Sequence, residues 1–516
     1  MSSQIFTSVE SVAKLRATTL PTDTILYLEG FHSRGDGGEG MFQFHASDTT
    51  SDNGGTIIPD AAGHRWYRAT NGQPYSVKWF GARGDGVTDD ILSIRKTILA
   101  VQDLRLNGTV WFPAGAYLIT DTIAIHDEIT LCGEGNKTKI GATRIVPSSM
   151  GFHAISIIEV NFGVVIRGID IGPVAHLTGS GFDAITIYAS QRVDIEDVSI
   201  YGTWNGILND SSGDVYIKRS SIALADVPPQ DGKVRYGIKC TGRAYRVSKQ
   251  QHPYDETQWI GNPNLTQCDA VVVSDFGKFA GTAHGFILAD MYNSLTLTNC
   301  GALQCAFGRW MTADGGEPPD FLVDTAGVSD HCGTGWALDS AAPDGNIVLT
   351  GCLCTSSFRN NFYVHDTFAG DVQCTGCRAI NTGGPHEFTG AGFSLNGSGN
   401  YTLSGCTANG NGGHNVAISH SAKVSICGGV FSRAGNTENP DKDGFHIYAS
   451  ASGSLSISGT LQHAADRGLF DEGSQCLVWG SGVFLPNPDV VPNVVVDLSA
   501  NNSTARWGLR SNISHP

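Results

Sequence analysis

Short runs in which apolar and polar residues alternate dominate this chain, and they return at a near-constant step. From about Gly163 to Thr460 one phrase recurs: two alternating apolar positions, a small polar pair, then a small or sulfur-bearing residue. It reads LTLTNC ending at Cys300, FLVDTA at Ala326, IVLTGC at Cys352, VQCTGC at Cys377, TLSGC at Cys406, SICGG at Gly429 and SISGT at Thr460. Alternation with period two predicts β-strands. A return every ~25 residues predicts stacked β-rungs, because one rung cannot bury its own apolar face. A second phrase, a small residue followed by an aromatic or apolar pair, falls between: Gly285-Phe286-Ile287-Leu288, Gly335-Trp336-Ala337-Leu338, Asn361-Phe362-Tyr363-Val364, Gly392-Phe393-Ser394-Leu395. Two strand signals per repeat leave room for a weaker third, and roughly a dozen rungs are expected.

The flanks differ. Residues 1–74 stand outside the repeat and predict a small β-rich module, with strands near Ile25–Leu28, Met41–Phe44 and Thr56–Ile58 and a short Ser-capped helix over Ser8–Leu15. Residues 75–148 form a transition. Ile91, Ile94, Ile98 and Val101 recur at helical spacing after Asp89-Asp90, so a capped amphipathic helix is expected to cover the open end of the coil. The coil proper is expected over 149–484, and a closing segment over 485–516. Two stretches, Leu224 to Gln267 and Ala306 to Pro319, break the rhythm and are expected to loop out on one face.

Composition narrows the partners. Of 516 residues 65 are glycine, only 16% are charged, and the net charge is −16. Nucleic acid phosphates need clustered Lys and Arg, so a nucleic-acid partner is not expected. No run of ~18 apolar residues predicts a membrane span. The start, MSSQIFTSVESVAKL, lacks a basic head and an apolar stretch, so no Sec signal peptide is expected. Thirteen cysteines include Cys374-x-x-Cys377 and Cys352-x-Cys354, whose spacing suits a metal. Yet Cys300, Cys352, Cys377 and Cys406 share one repeat position, which predicts a stacked ladder of buried thiols. No metal or cofactor is expected.

The stretch from Val77 to Asp90, VKWFGARGDGVTDD, followed by the helix and GTVWFPAGAYLIT (Gly108 to Thr120), resembles the opening of the pectate-lyase-like family of right-handed parallel β-helix proteins. The segments GDGGEGMFQF, DNGGTII and HRWYRA resemble the N-terminal attachment module of bacteriophage tailspikes. The resemblance implies an all-β, single-stranded right-handed parallel β-helix, a homotrimer on a virion tail, attachment through the N-terminal module to other tail or baseplate proteins, and cleavage of a bacterial surface polysaccharide. The acid series of polygalacturonases and the Asp cluster of calcium-dependent pectate lyases are both missing, so no catalytic residue carries over.

Stacking turns register into proximity, since like positions on successive rungs lie ~4.8 Å apart. A hydrolase needs two carboxylates flanking the bond; a lyase needs a base and a group to neutralise a uronate. The ends of the second phrase and the two irregular stretches supply the candidates. For acid–base work these are Asp183, Tyr236, His284, Asp290, Asp314, Glu317, Asp339 and Asp366. For sugar contact they are Arg235, Lys239, Arg243, Trp259, Arg309, Trp310 and His365. The plain alternative for each Asp is a turn residue bonded to the bend. Loop tryptophans can equally anchor their loops. The expected function is depolymerisation of a capsule, exopolysaccharide or O-antigen, with hydrolysis favoured over a lyase reaction and over a non-catalytic receptor-binding spike.

Overall fold

The protein is described by a computed structural model. It covers residues 5–432 except 22–23, 46, 104–107, 136–141, 174–180, 231, 383–389 and 421. Beyond 432 it covers the backbone of strands Ile447–Ala451, Ser454–Gln462, Leu469–Asp471, Leu477–Leu485 and Asp497–Leu498. The expected closing segment 485–516 therefore lies almost wholly outside the described residues. Two compact units divide the chain: residues 1–206 with 218–221, and residues 207–217 with 222–516.

The first unit opens with a five-stranded sheet. Strands β1 (Ile5–Val9), β2 (Thr24–Leu28), β3 (Gly40–His45), β4 (Ile57–Pro59) and β5 (Arg65–Arg68) lie in the order β1-β2-β3-β5-β4. Their inward residues Leu26, Leu28, Phe42, Ile58 and Trp66 close a core with Val12 and Leu15 of helix α1 (Val12–Arg16). That helix is shorter than expected. Ser8 is in β1, and the cap is Ser11, whose hydroxyl accepts from the Lys14 amide at 3.3 Å. Helix α2 (Ile91–Gln102) buries Ile91, Ile94, Ile98 and Val101, as their spacing predicts. Its N-cap is Asp90, but that carboxylate bonds the amides of Arg83 (2.6 Å) and Gly84 (2.9 Å) instead of the helix.

After α2 the chain winds into parallel rungs with three strands per turn. In the second unit Arg235–Thr241, Ala283–Ala289, Phe307–Thr312, Thr334–Leu338, Phe362–Val364 and Phe393–Leu395 stack in register to form one face. Leu265–Asp269, Ser294–Thr298, Phe321–Thr325, Asn346–Thr350, Asp371–Thr375 and Asn400–Ser404 form the next. Three-residue strands such as Gly301–Leu303 and Leu353–Thr355 supply the third, which was the weak signal. The fold is a right-handed parallel β-helix.

Inside the second unit like residues lie over like. Phe286, Arg309, Trp336, Phe362 and Phe393 occupy one inward column. Trp336, Phe362 and Phe393 stack with centroids 4.7 and 4.8 Å apart, and the Arg309 guanidinium lies 4.7 Å from the Trp336 ring. Burying each such ring contributes ~1.5–3 kcal/mol. At the bend before this column the backbone nearly touches the opposite wall. A Cβ at Gly335 would collide with the Cys354 sulfur, which is why the second phrase opens on a small residue.

The thiol ladder is present. Cys300, Cys352, Cys377 and Cys406 are buried, and their S–H groups face carbonyls of the preceding rung at 3.2–3.4 Å. None of the twelve described cysteines is in a disulfide. One register assignment changes: the ladder position in FLVDTAG is Gly327, not Ala326, as the bonds from Val328 to Cys300 and from Leu353 to Gly327 show. A Cβ at Gly327 would clash with Asp324, the buried partner of Arg309, so this rung gives up its thiol to make room for a carboxylate.

Candidate active site

Outward residues of the first face of the second unit form a strip. Lys239, Ile287, Trp310, Ala337 and Tyr363 follow one another on successive rungs. Tyr236, His284 and Phe307 flank them on the N-terminal side. The His284 ring centroid lies 4.6 Å from Trp310 and 4.9 Å from Phe307, and Tyr236 packs with Leu208, Ile287 and Trp310. Together these rings form an aromatic floor, in which Trp310 and Phe307 are half-buried and Tyr236 is buried.

The C-terminal side of the strip carries the acids. The Trp310 indole N–H donates to Asp339 Oδ2 at 2.7 Å. Asp339 is half-buried, and burial holds its carboxyl above the usual carboxylate range, against the opposing pull of the indole and of His365. Leu338 pairs with Val364, so His365 lies one rung beyond Asp339. His365 Nδ1 is 2.5 Å from Asp366 and 2.9 Å from the Thr367 hydroxyl, which in turn donates to the Asp339 carbonyl at 2.9 Å. Asp314 is exposed and ion-pairs with Lys239, two rungs back from its own strand.

His284 is electrostatically distinct. Burial, and then the neighbouring Lys239 charge, push its imidazole down to about 4. It is therefore neutral at pH 7, and its Nδ1 is buried with no hydrogen-bond partner. Burial and the neighbouring ammonium both disfavour its protonation, so the ring acts as a neutral hydrogen-bonding group.

Several expected residues lie elsewhere. Arg309 is 1% exposed and points into the coil, where it binds Asp324 (2.8 Å), the carbonyls of Cys300 and Val328, and Ser329. Arg235 is also 1% exposed, bonded to Ala225 and Val227 carbonyls and Thr282 and ion-paired with Asp275. Neither can meet a sugar on the strip. Arg309 was misplaced because the second irregular stretch is shorter than it reads: Phe307–Thr312 is a regular rung, and only 313–319 loops out. Asp183 belongs to the first unit, buried and bonded to Asn205 (2.9 Å) and His153 (3.2 Å), which is a ladder role. Asp290 is buried and held by Arg246, a residue that no sequence signal singled out. Glu317 and Arg243 are exposed, the latter at the start of helix α3 (Arg243–Gln251). Trp259 anchors that helix: its indole donates to the His252 carbonyl at 3.0 Å, and its ring meets Tyr245 edge-on at 5.7 Å. The structure thus brings together Tyr236, Lys239, His284, Trp310, Asp314, Asp339, His365 and Asp366. Among the described residues no group of three or more His, Cys, Asp or Glu side chains is arranged to hold a metal ion, and no helix is long and apolar enough to cross a membrane.

Residues 75–221 match the family model described as rhamnogalacturonase A/epimerase, pectate lyase-like, and residues 8–71 match the phage tail protein small four-stranded β-sheet domain. Among solved structures, the catalytic unit of a thermostable GH87 α-1,3-glucanase from Streptomyces thermodiastaticus strain HF3-3 superposes with a TM-score of 0.50 at 15% identity, over 80% of this chain and 69% of that one. The N-terminal fragment of gene product 12 of bacteriophage Phi29 gives 0.50 at 13% identity, over 79% and 80%. The gp42 tailspike of Acinetobacter phage vb_AbaP_AS12 gives 0.45 at 11% identity, over 99% and 78%. At such identities the likeness concerns the fold. The wound parallel sheets give the chain the fold of the right-handed parallel β-helix proteins; residues 75–221 resemble the pectate-lyase-like family, and residues 8–71 resemble a phage-tail β-sheet domain.

Proposed function

We propose that this chain is a tailspike-like component of a phage tail that binds and depolymerises a bacterial surface polysaccharide by glycoside hydrolysis on the outer strip of its second unit. The observation that carries the proposal is Asp339. It is a half-buried carboxyl that burial keeps protonated to higher pH, aimed at the aromatic floor by the Trp310 indole, with a second carboxylate, Asp366, next to His365 on the following rung. A carboxyl whose burial favours the protonated form is suited to protonate a leaving glycosidic oxygen. Trp310, with Phe307, supplies the stacking surface. Residues 8–71 attach the chain to other tail proteins, and the working form is a homotrimer.

A lyase reaction is the second reading. It is favoured by Lys239, a cation on the strip that can neutralise a uronate carboxylate, beside the neutral His284. Incubation with a panel of purified capsules, exopolysaccharides and O-antigens separates the outcomes. New reducing ends without new ultraviolet absorbance support hydrolysis. Absorbance from a new carbon–carbon double bond supports the lyase. Binding without shortening of the polymer leaves a receptor-binding spike and overturns the enzymatic proposal.

A further inference from the structure

The loop 313–319 leaves Phe307–Thr312 and runs back along the edge of the strip. Its Glu317 carbonyl accepts from the Met291 amide (2.9 Å), one rung back, and its Asp314 carboxylate pairs with Lys239, two rungs back. Between these contacts lies a second, more buried ion pair. Arg246 of α3 donates through Nε (2.5 Å) and Nη2 (3.1 Å) to the two oxygens of Asp290, and Arg246 Nη1 also reaches Gln250 (3.3 Å). The Asp290 side chain is 3% exposed, against 39% for Asp314. The Asp290 carbonyl accepts from the Gly242 amide (2.8 Å) just ahead of α3, so the residue is tied to the helix twice.

The loop backbone rests on this pair. A Cβ at Gly316 would collide with Asp290 Oδ1 and come within 2.8 Å of Arg246 Nε. Asp290 itself has a φ of +52°, a left-handed conformation that non-glycine residues adopt only when their surroundings hold them. A fork of two parallel N–H···O bonds fixes direction as well as distance. The exposed Lys239–Asp314 pair has one ammonium and no such fork, so it cannot set the loop position alone.

We infer that Arg246 is a positioning residue: with Asp290 it forms the seat that holds the loop 313–319, and hence Asp314, at a fixed distance from the Lys239–Trp310 strip. This deepens the proposed function and rests on it for the meaning of the strip, though the seating of the loop stands apart from any activity. Without the guanidinium, Asp290 is left buried without its counter-charge, and the loop loses the surface under Gly316.

Three variants test the inference: Arg246→Gln, Arg246→Lys and Gly316→Ala, the last lifting the loop without removing the ion pair. The first readout needs no substrate. Endoproteinase Asp-N, which cuts ahead of Asp314, is followed by mass spectrometry on the full chain. Arg246→Gln and Gly316→Ala are expected to be cut there about tenfold faster than the parent, because a released loop samples open conformations, with Arg246→Lys in between. On a polymer the parent degrades, both are expected to raise KM about tenfold with kcat within about threefold, the signature of lost uniform binding. Unchanged cleavage ahead of Asp314 in both variants overturns the inference, as does a fall in melting temperature with KM unmoved. A parent that degrades no polymer defeats the proposed function, and the protease comparison still decides whether Arg246 seats the loop. Should Arg246→Gln fail to fold, Gly316→Ala carries both readouts.

Discussion

Arg309 and Trp310 are neighbours on one strand, share one ladder of backbone hydrogen bonds, and have opposite surroundings. The column that runs through Arg309 faces inward: Ile238, Phe286, Arg309, Trp336, Phe362 and Phe393 stack without gaps. The column through Trp310 faces outward, where Lys239, Ile287, Trp310, Ala337, Tyr363 and Ser394 have no common chemistry. The difference teaches that in a wound coil the face a residue occupies decides its task before its type does. Inward positions are constrained by the residues directly above and below, so even a charge there must be converted into packing. Arg309 lies flat between Phe286 and Trp336 and spends its N–H groups on Asp324, Ser329 and two carbonyls. Outward positions are free to vary from rung to rung, and that freedom lets one rung supply a tryptophan and the next a carboxylate.

The contrast can be broken from either side. The largest effect is expected inside. Arg309→Met leaves Asp324 buried without its counter-charge and should cost about 3–5 kcal/mol of unfolding free energy in urea, while adding Asp324→Leu should recover most of it. Outside, Asp339→Asn should leave the urea midpoint unchanged and lower turnover by about 100-fold or more, the lower range for a lost proton donor. Full turnover in that variant moves the chemistry away from Asp339. A smaller change is expected from Trp310→Phe, which keeps a ring but removes the indole bond to Asp339. Because that bond lowers the Asp339 pKa against the effect of burial, its loss should shift the alkaline limb of the pH–rate profile to higher pH and raise KM about threefold to tenfold. The gentlest test concerns His284. Its imidazole is pushed from an ordinary 6.5 down to about 4, so the folded state binds fewer protons than the unfolded chain between those values. Its contribution is complete above about pH 6.5 and is lost as pH falls toward 4, and His284→Phe should flatten that part of the stability–pH curve.

Much of the coil was legible because a period of two inside a period near 25 leaves few alternatives. The strand phrases, the thiol position and the α2 spacing all stand in the structure. What was not legible has physical causes. The rung Phe307–Thr312 was hidden because Gly308-Arg309-Trp310-Met311 is the second phrase with a charge at its aromatic position, and a charge reads as a loop until its buried partner is known. That partner, Asp324, lies on another face 15 residues on. The site was half legible. Asp339, His365 and Asp366 follow from register alone, whereas Trp310 stood out only as a tryptophan of an irregular stretch. Arg246 does not, since it belongs to a helix inserted between rungs, and its partner Asp290 is found only by winding the chain. Asp183 and Asp290 looked like acids at a groove because residue type alone cannot tell a solvated carboxylate from one tied into a bend.

The sulfur column offers a built-in gauge of unwinding. Among the described cysteines only Cys132, half-exposed, and Cys427, exposed, lie within reach of a thiol reagent while the coil is closed. Of the twelve described cysteines, a maleimide dye should therefore mark those two on the native protein and reach the other ten only as rungs peel apart. Peptide mapping of the labelled chain after brief heating would then report which turns had opened and from which end.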